Sequence, residues 1–135
     1  MRRSVFVLGQ LWMAPVTAFG LLQTLLGARY HGRTREGVLQ FVARPRGPLG
    51  LYMRTLKISA YTLGATITYR ELTGPGQSRL YRHELEHVVQ TMQFGPLMPV
   101  AYVAASLWQV LRGRRFYSDN GFEVRARAAE DAPFP

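Results

Sequence analysis

Residues 82–90 read RHELEHVVQ, and the reading of this stretch decides the rest of the chain. Leu85, Val88, Val89 and Met92 repeat at helical spacing, which predicts an amphipathic helix over 79–93 with Ser78 as its cap. On a helix, positions four apart share a face one turn apart, so His83 and His87 can direct two imidazoles at one ion. Zinc accepts neutral imidazole at about 2.0–2.1 Å, and a catalytic zinc uses three protein ligands and one water. Glu84, next to the first histidine, stands where a base could take a proton from that water. The bland reading stays beside it. The two histidines also suit a solvated helix face, and Glu84 and Glu86 suit ion pairs with Arg79 or Arg82, worth about 0.2–0.5 kcal/mol each.

Composition narrows the chemistry. At 135 residues the chain makes one compact domain with a modest core. Cysteine is absent, so any metal is held by His, Asp or Glu. The net charge is +9, and every basic residue except Lys57 is arginine, a side chain suited to phosphate. The arginines are scattered along the chain and build no basic helix or recognisable nucleic-acid motif, which argues against a nucleic-acid partner.

The apolar residues argue for lipid instead. No charge occurs between Arg3 and Arg29, and about 20 apolar residues suffice to cross a bilayer. A cleaved leader, a buried core helix and a membrane-contacting helix all fit the apolar segment 4–28. Trp12 and the flanking arginines are the anchors that the third of these needs, and membrane contact, spanning or lying on the surface, is the expectation adopted. A second uncharged run, 88–111, ends in a helix expected over 99–111.

Between them lie a basic linker (29–37) and three strand-like pieces: 38–43, 51–58 and 60–69. In the last piece Tyr61, Leu63, Ala65, Ile67 and Tyr69 alternate with Thr62, Gly64, Thr66 and Thr68, the period of one strand with one buried face. The expected fold class is α+β: an N-terminal apolar helix, a short antiparallel sheet of about three strands, the motif helix, and two further helices. A final helix starts near Asn120, and the tail DAPFP reads as frayed.

The last helix carries NGFEVRARA, with Glu123 in its first turn. HELEHVVQ followed by NGFEVRARA resembles the HExxH-plus-glutamate arrangement of gluzincin-type zinc metallopeptidases, especially small bacterial members with HELxHVxQ and N-x-F-E-x-x-A patterns. The resemblance covers roughly residues 60–129. It implies a single zincin-like domain over 1–135 in which His83, His87 and Glu123 bind Zn2+ and Glu84 is the general base. It also implies peptide-bond hydrolysis, and an edge strand at 64–69 that holds an extended substrate. With the apolar segments, it implies a bacterial inner-membrane location. Glu123 has a rival role: Asn120 and Glu123 are spaced as a capping box. Gln90, one turn beyond His87, suits either a support for that ligand or a plain polar position. Larger gluzincins also carry an acidic residue shortly after the third ligand and a downstream His or Tyr for the oxyanion. Here Arg127 lies one turn past Glu123, no His or Tyr follows it, and Tyr102 or Tyr117 would have to supply the hydroxyl. The competing class is an accessory subunit of a membrane protein complex that keeps such a fold without the activity.

Overall fold

The computed structural model describes residues 3–131; residues 1–2 and 132–135, including most of the expected frayed tail, lie outside it. The protein is α+β. Its elements are α1 (Arg3–Leu21) with a 3-10 turn (Leu22–Leu26), β1 (Ala28–Arg33), β2 (Leu39–Ala43), α2 (Pro48–Thr55), β3 (Ala60–Leu63) and β4 (Thr66–Tyr69). After a short 3-10 turn (Gly74–Gly76) come α3 (Ser78–Phe94), another 3-10 turn (Gly95–Leu97), α4 (Met98–Leu111) and α5 (Gly121–Ala129).

The sheet differs from the expected three-stranded antiparallel one. It has four strands in the order β1-β2-β4-β3. β1–β2 and β4–β3 pair antiparallel, while β2 and β4 pair parallel. The linker expected over 29–37 is largely β1. Its residues are mostly exposed, because an edge strand with little buried surface shows no hydrophobic alternation. The strand expected over 51–58 is instead α2. Pro48 sits at the first helical position behind Gly47, and Leu49 and Met53, one turn apart, are its buried side chains. The single strand expected over 60–69 is a hairpin, β3 and β4, folded at Gly64 in the left-handed region (φ +60). That turn is pressed on α1: a Cβ at Gly64 would lie 2.3 Å from Thr17 Oγ1.

Folding the hairpin there changes the face assignment. Tyr61 pairs with Thr68 and Thr62 with Ile67, so Tyr61 and Ile67 lie on opposite faces. One face carries Ile67 and Tyr69, which pack with Met13 of α1 and with Tyr81 and Val88 of α3. The other carries Phe41 and Ala43 against Leu49 and Met53 of α2. The edge strand beside the motif helix is therefore β3, not the 64–69 segment, whose β4 is an interior strand.

The motif helix begins one residue before its expected start. Gln77, not Ser78, occupies the cap position, and it makes no side-chain cap bond. Asn120 caps α5 as expected, its Oδ1 accepting from Phe122 N at 2.9 Å.

Candidate metal centre

α3 is anchored by Tyr81 and Val88 in the core, which turns the adjacent stripe of His83 and His87 toward α5. The imidazole centroids are 5.1 Å apart. Facing them is Glu123, nearly fully buried in the first turn of α5. The start of that helix is fixed to α4. Asn120 Nδ2 donates to Ser106 Oγ at 2.7 Å and to the Tyr102 carbonyl at 3.0 Å.

The capping-box role of Glu123 is therefore not taken up: its carboxylate turns to the histidines. Glu123 Oε2 lies 3.2 Å from His83 Nε2, and Oε1 lies 3.3 Å from His87 Nε2. Ligand atoms at ~2.0–2.1 Å from one zinc, set at tetrahedral angles, are roughly 3.4 Å apart, so these separations suit a shared ion. One ligand atom from each of the three side chains lies within 4.8 Å of the others, a group that could hold a metal ion.

The other ring nitrogens are also engaged. His83 Nδ1 is 3.0 Å from Glu130 Oε1, and His87 Nδ1 is 2.9 Å from Gln90 Oε1. Gln90 is fully buried and its Nε2 donates to the Phe122 carbonyl at 3.1 Å, which fixes which end of the amide faces the ring. Both Nδ1 atoms thus face acceptors, the tautomer that bares Nε2 as a metal ligand.

Arg127 lies one turn past Glu123, near where the family resemblance implies an acid. The acid beside His83 Nδ1 is Glu130, two turns past Glu123, at the end of α5. Counting two helical turns onward would have found it. Arg79 holds the other oxygen of Glu130 at 3.2 Å. Glu86 lies 3.5 Å from Arg125 on α5, and Arg79 turns to Glu130 and Asp131. Glu130→Ala is expected to weaken zinc affinity about 10–100-fold, since removing the group behind a ligand histidine has that effect. A chelator-competition titration with zinc reads it, and unchanged affinity would show that Glu130 merely caps the helix end.

Protonation reflects the same arrangement. Burial disfavours the charged form of both histidines, yet hydrogen bonds and charge from Glu123 outweigh it, and both sit above their ordinary value. Glu123 is held well below the usual carboxylate range, because the two histidines and Tyr102 outweigh its burial. Tyr102 Oη donates to Glu123 Oε1 at 2.8 Å.

Glu84 is a separate matter. It is 4 % exposed, and its Oε2 accepts from Thr62 Oγ1 of β3 at 2.7 Å. Burial pushes its carboxyl up, despite the nearby histidines and Thr62. With His83, His87 and Glu123 it lines a cleft of about 1060 Å³. β3 forms one wall, and Tyr102, Val103 and Tyr117 stand on another. Burial, with Glu123 nearby, raises the Tyr117 hydroxyl to about 12. The helical run Ser78–Leu111, which joins α3 to α4, is long and apolar enough to cross a membrane. Compared with protein-family models, curated proteins and solved structures, the chain matches none of them.

Proposed function

We propose that this protein is a membrane-associated, zinc-dependent hydrolase of peptide bonds with a gluzincin-type centre. In this reading His83, His87 and Glu123 hold the ion and Glu84 is the general base. The observation that carries the reading is the position of Glu84. It is a buried carboxylate on the wall of the cleft, one residue from a ligand and held by a neutral hydroxyl rather than by a cation. A site that only stapled the fold would have no use for it. Zinc held there supplies Lewis acidity, polarising a carbonyl and making water a competent nucleophile at neutral pH.

The remaining work falls to the chain. Glu84 accepts a proton from the attacking water and returns it to the leaving nitrogen, a role favoured by a carboxyl raised toward neutrality. Tyr102 and Tyr117 both line the cleft beside Glu123, and these two hydroxyls are assigned the donation to the developing oxyanion. The unpaired edge of β3 beside the cleft offers main-chain groups to an extended peptide. The test is cleavage of a broad peptide library by zinc-loaded protein. Cleavage is expected to stop on chelation and to return with zinc. Zinc-loaded protein that cleaves nothing favours the accessory-subunit reading, whose support is the apolar surface of α4, a surface that a partner protein would also cover.

A further inference from the structure

α4 is uncharged and apolar nearly all round, yet Met98 and Ser106 are its only buried residues. A helix of this kind is normally enclosed by other apolar material. Leu111 is 81 % exposed and Val100 69 %. α1 is divided lengthwise. Gly9, Met13 and Gly20 face the protein, with Gly9 against Met92 and Gly20 against Thr66, and Gln23 of the following turn continues that side. Along the opposite side run Leu8, Leu11, Phe19 and Leu22, and Leu25 is 82 % exposed.

These two surfaces adjoin. Trp12 of α1 packs on Gly95, in the turn that leads into α4, so closely that a Cβ there would lie 2.2 Å from the indole. The metal cleft opens between the same elements, with Val16 of α1 on one side and Pro99 and Val103 of α4 on the other. The charge pattern names the occupant. Neither surface carries an acidic residue. Arg112, Arg114 and Arg115 follow α4, and the loop holding Arg44 and Arg46 folds onto the far end of the α1 surface, where Arg44 N donates to Gly27 O at 2.9 Å. An apolar face with a cationic rim matches a bilayer with anionic headgroups.

We propose that α1, its 3-10 extension and α4 lie in the plane of one leaflet of an anionic bilayer, with the mouth of the metal cleft turned toward the lipid. Crossing does not suit these helices. α4, with 14 residues, spans roughly 21 Å against a hydrocarbon core of about 30 Å. Extending it back through α3 would draw Arg79, Arg82, Glu86 and the metal cluster into hydrocarbon. α1 packs against the sheet and α3. Substrates of the centre would then be peptide segments held at or in the membrane surface. This rests on the hydrolase reading for the meaning of the cleft, though not for the seating itself.

The chain's two tryptophans, Trp12 and Trp108, are both exposed on this face and report on it directly. Full-length protein is mixed with vesicles of phosphatidylcholine, with and without phosphatidylglycerol. Tight binding is expected to the anionic vesicles, reduced but not abolished by salt. Emission should shift to the blue, with stronger quenching by lipids brominated near the headgroup than near the bilayer centre. Leu25→Glu and Leu111→Glu, both on bare positions, should each lower partitioning about tenfold or more. Failure to bind either vesicle overturns the seating. So does quenching centred at the bilayer midplane, which means crossing, and so does a lipid-free oligomer that already shields both indoles, which means a protein interface. Zinc is measured in the same samples. Protein that holds zinc but misses the vesicles refutes the seating alone, and protein that binds vesicles without zinc refutes the metal reading alone.

Discussion

Purified protein is expected to hold about one zinc per chain, and His83→Ala or His87→Ala to lose it, the three-ligand logic leaving too few donors once an imidazole is removed. Glu123→Gln keeps one oxygen donor but loses the charge, so weakened rather than abolished binding is expected. Metal analysis after gel filtration reads all three, and undiminished zinc in the double histidine variant would remove the centre. The pH dependence follows from the same contacts. Without metal, the histidines sit above their ordinary ~6.5, so their stabilising contribution is complete below that pH and is lost as pH rises through the raised values. Glu123 is depressed, so its contribution is present above its ordinary ~4.3 and is lost as pH falls through the lowered value. The contacts among His83, His87 and Glu123 accordingly contribute most to the metal-free protein between roughly pH 4.5 and 6.5, while the raised carboxyl of Glu84 works against stability as pH rises. Zinc requires neutral imidazoles, so its affinity should fall by up to about tenfold per pH unit for each proton displaced below the raised histidine values. Zinc binding that is flat across this range would contradict the contacts described.

Glu84→Gln should separate chemistry from binding. The amide is isosteric, the Thr62 hydroxyl can still donate to its oxygen, and the three ligands are untouched, so zinc content and folding should stay close to wild type. Hydrolysis should fall about 10²–10⁴-fold, the usual contribution of a positioned acid–base group. Wild type and variant are compared on the same peptide library with zinc measured in both. Equal cleavage by the two would refute Glu84 as the base. A loss of zinc in the variant would mean that Glu84 supports the centre structurally, and the mechanism would need another proton acceptor.

The sequence alone was enough for features set by neighbours in the chain. Helical periodicity and spacing placed His83, Glu84 and His87 on α3, and an Asx side chain before a helical run placed the cap of α5, because both depend on residues within a turn or two. The α+β class followed from the same local signals.

What needed long-range contact was decided only by the tertiary structure. The 60–69 segment alternates as one strand would, and nothing local says that Gly64 must reverse it; its fit against Thr17 on α1 does. β1 carries little hydrophobic signal because, apart from Ala28 in the core, most of its residues lie exposed on an edge strand. The residues around Leu49 and Met53 suit strand or helix until the facing sheet asks for two apolar groups one turn apart. Glu123 had equal local reason to cap its own helix, and only the arrival of α3 opposite α5 turned it to the histidines. Gln90 was legible as a candidate support for His87, but Glu130 was visible only as a residue and not as a partner, since which atom a side chain presents depends on what lies across the interface. Sequence periodicity reports the face a residue occupies; the assembled elements determine what that face meets.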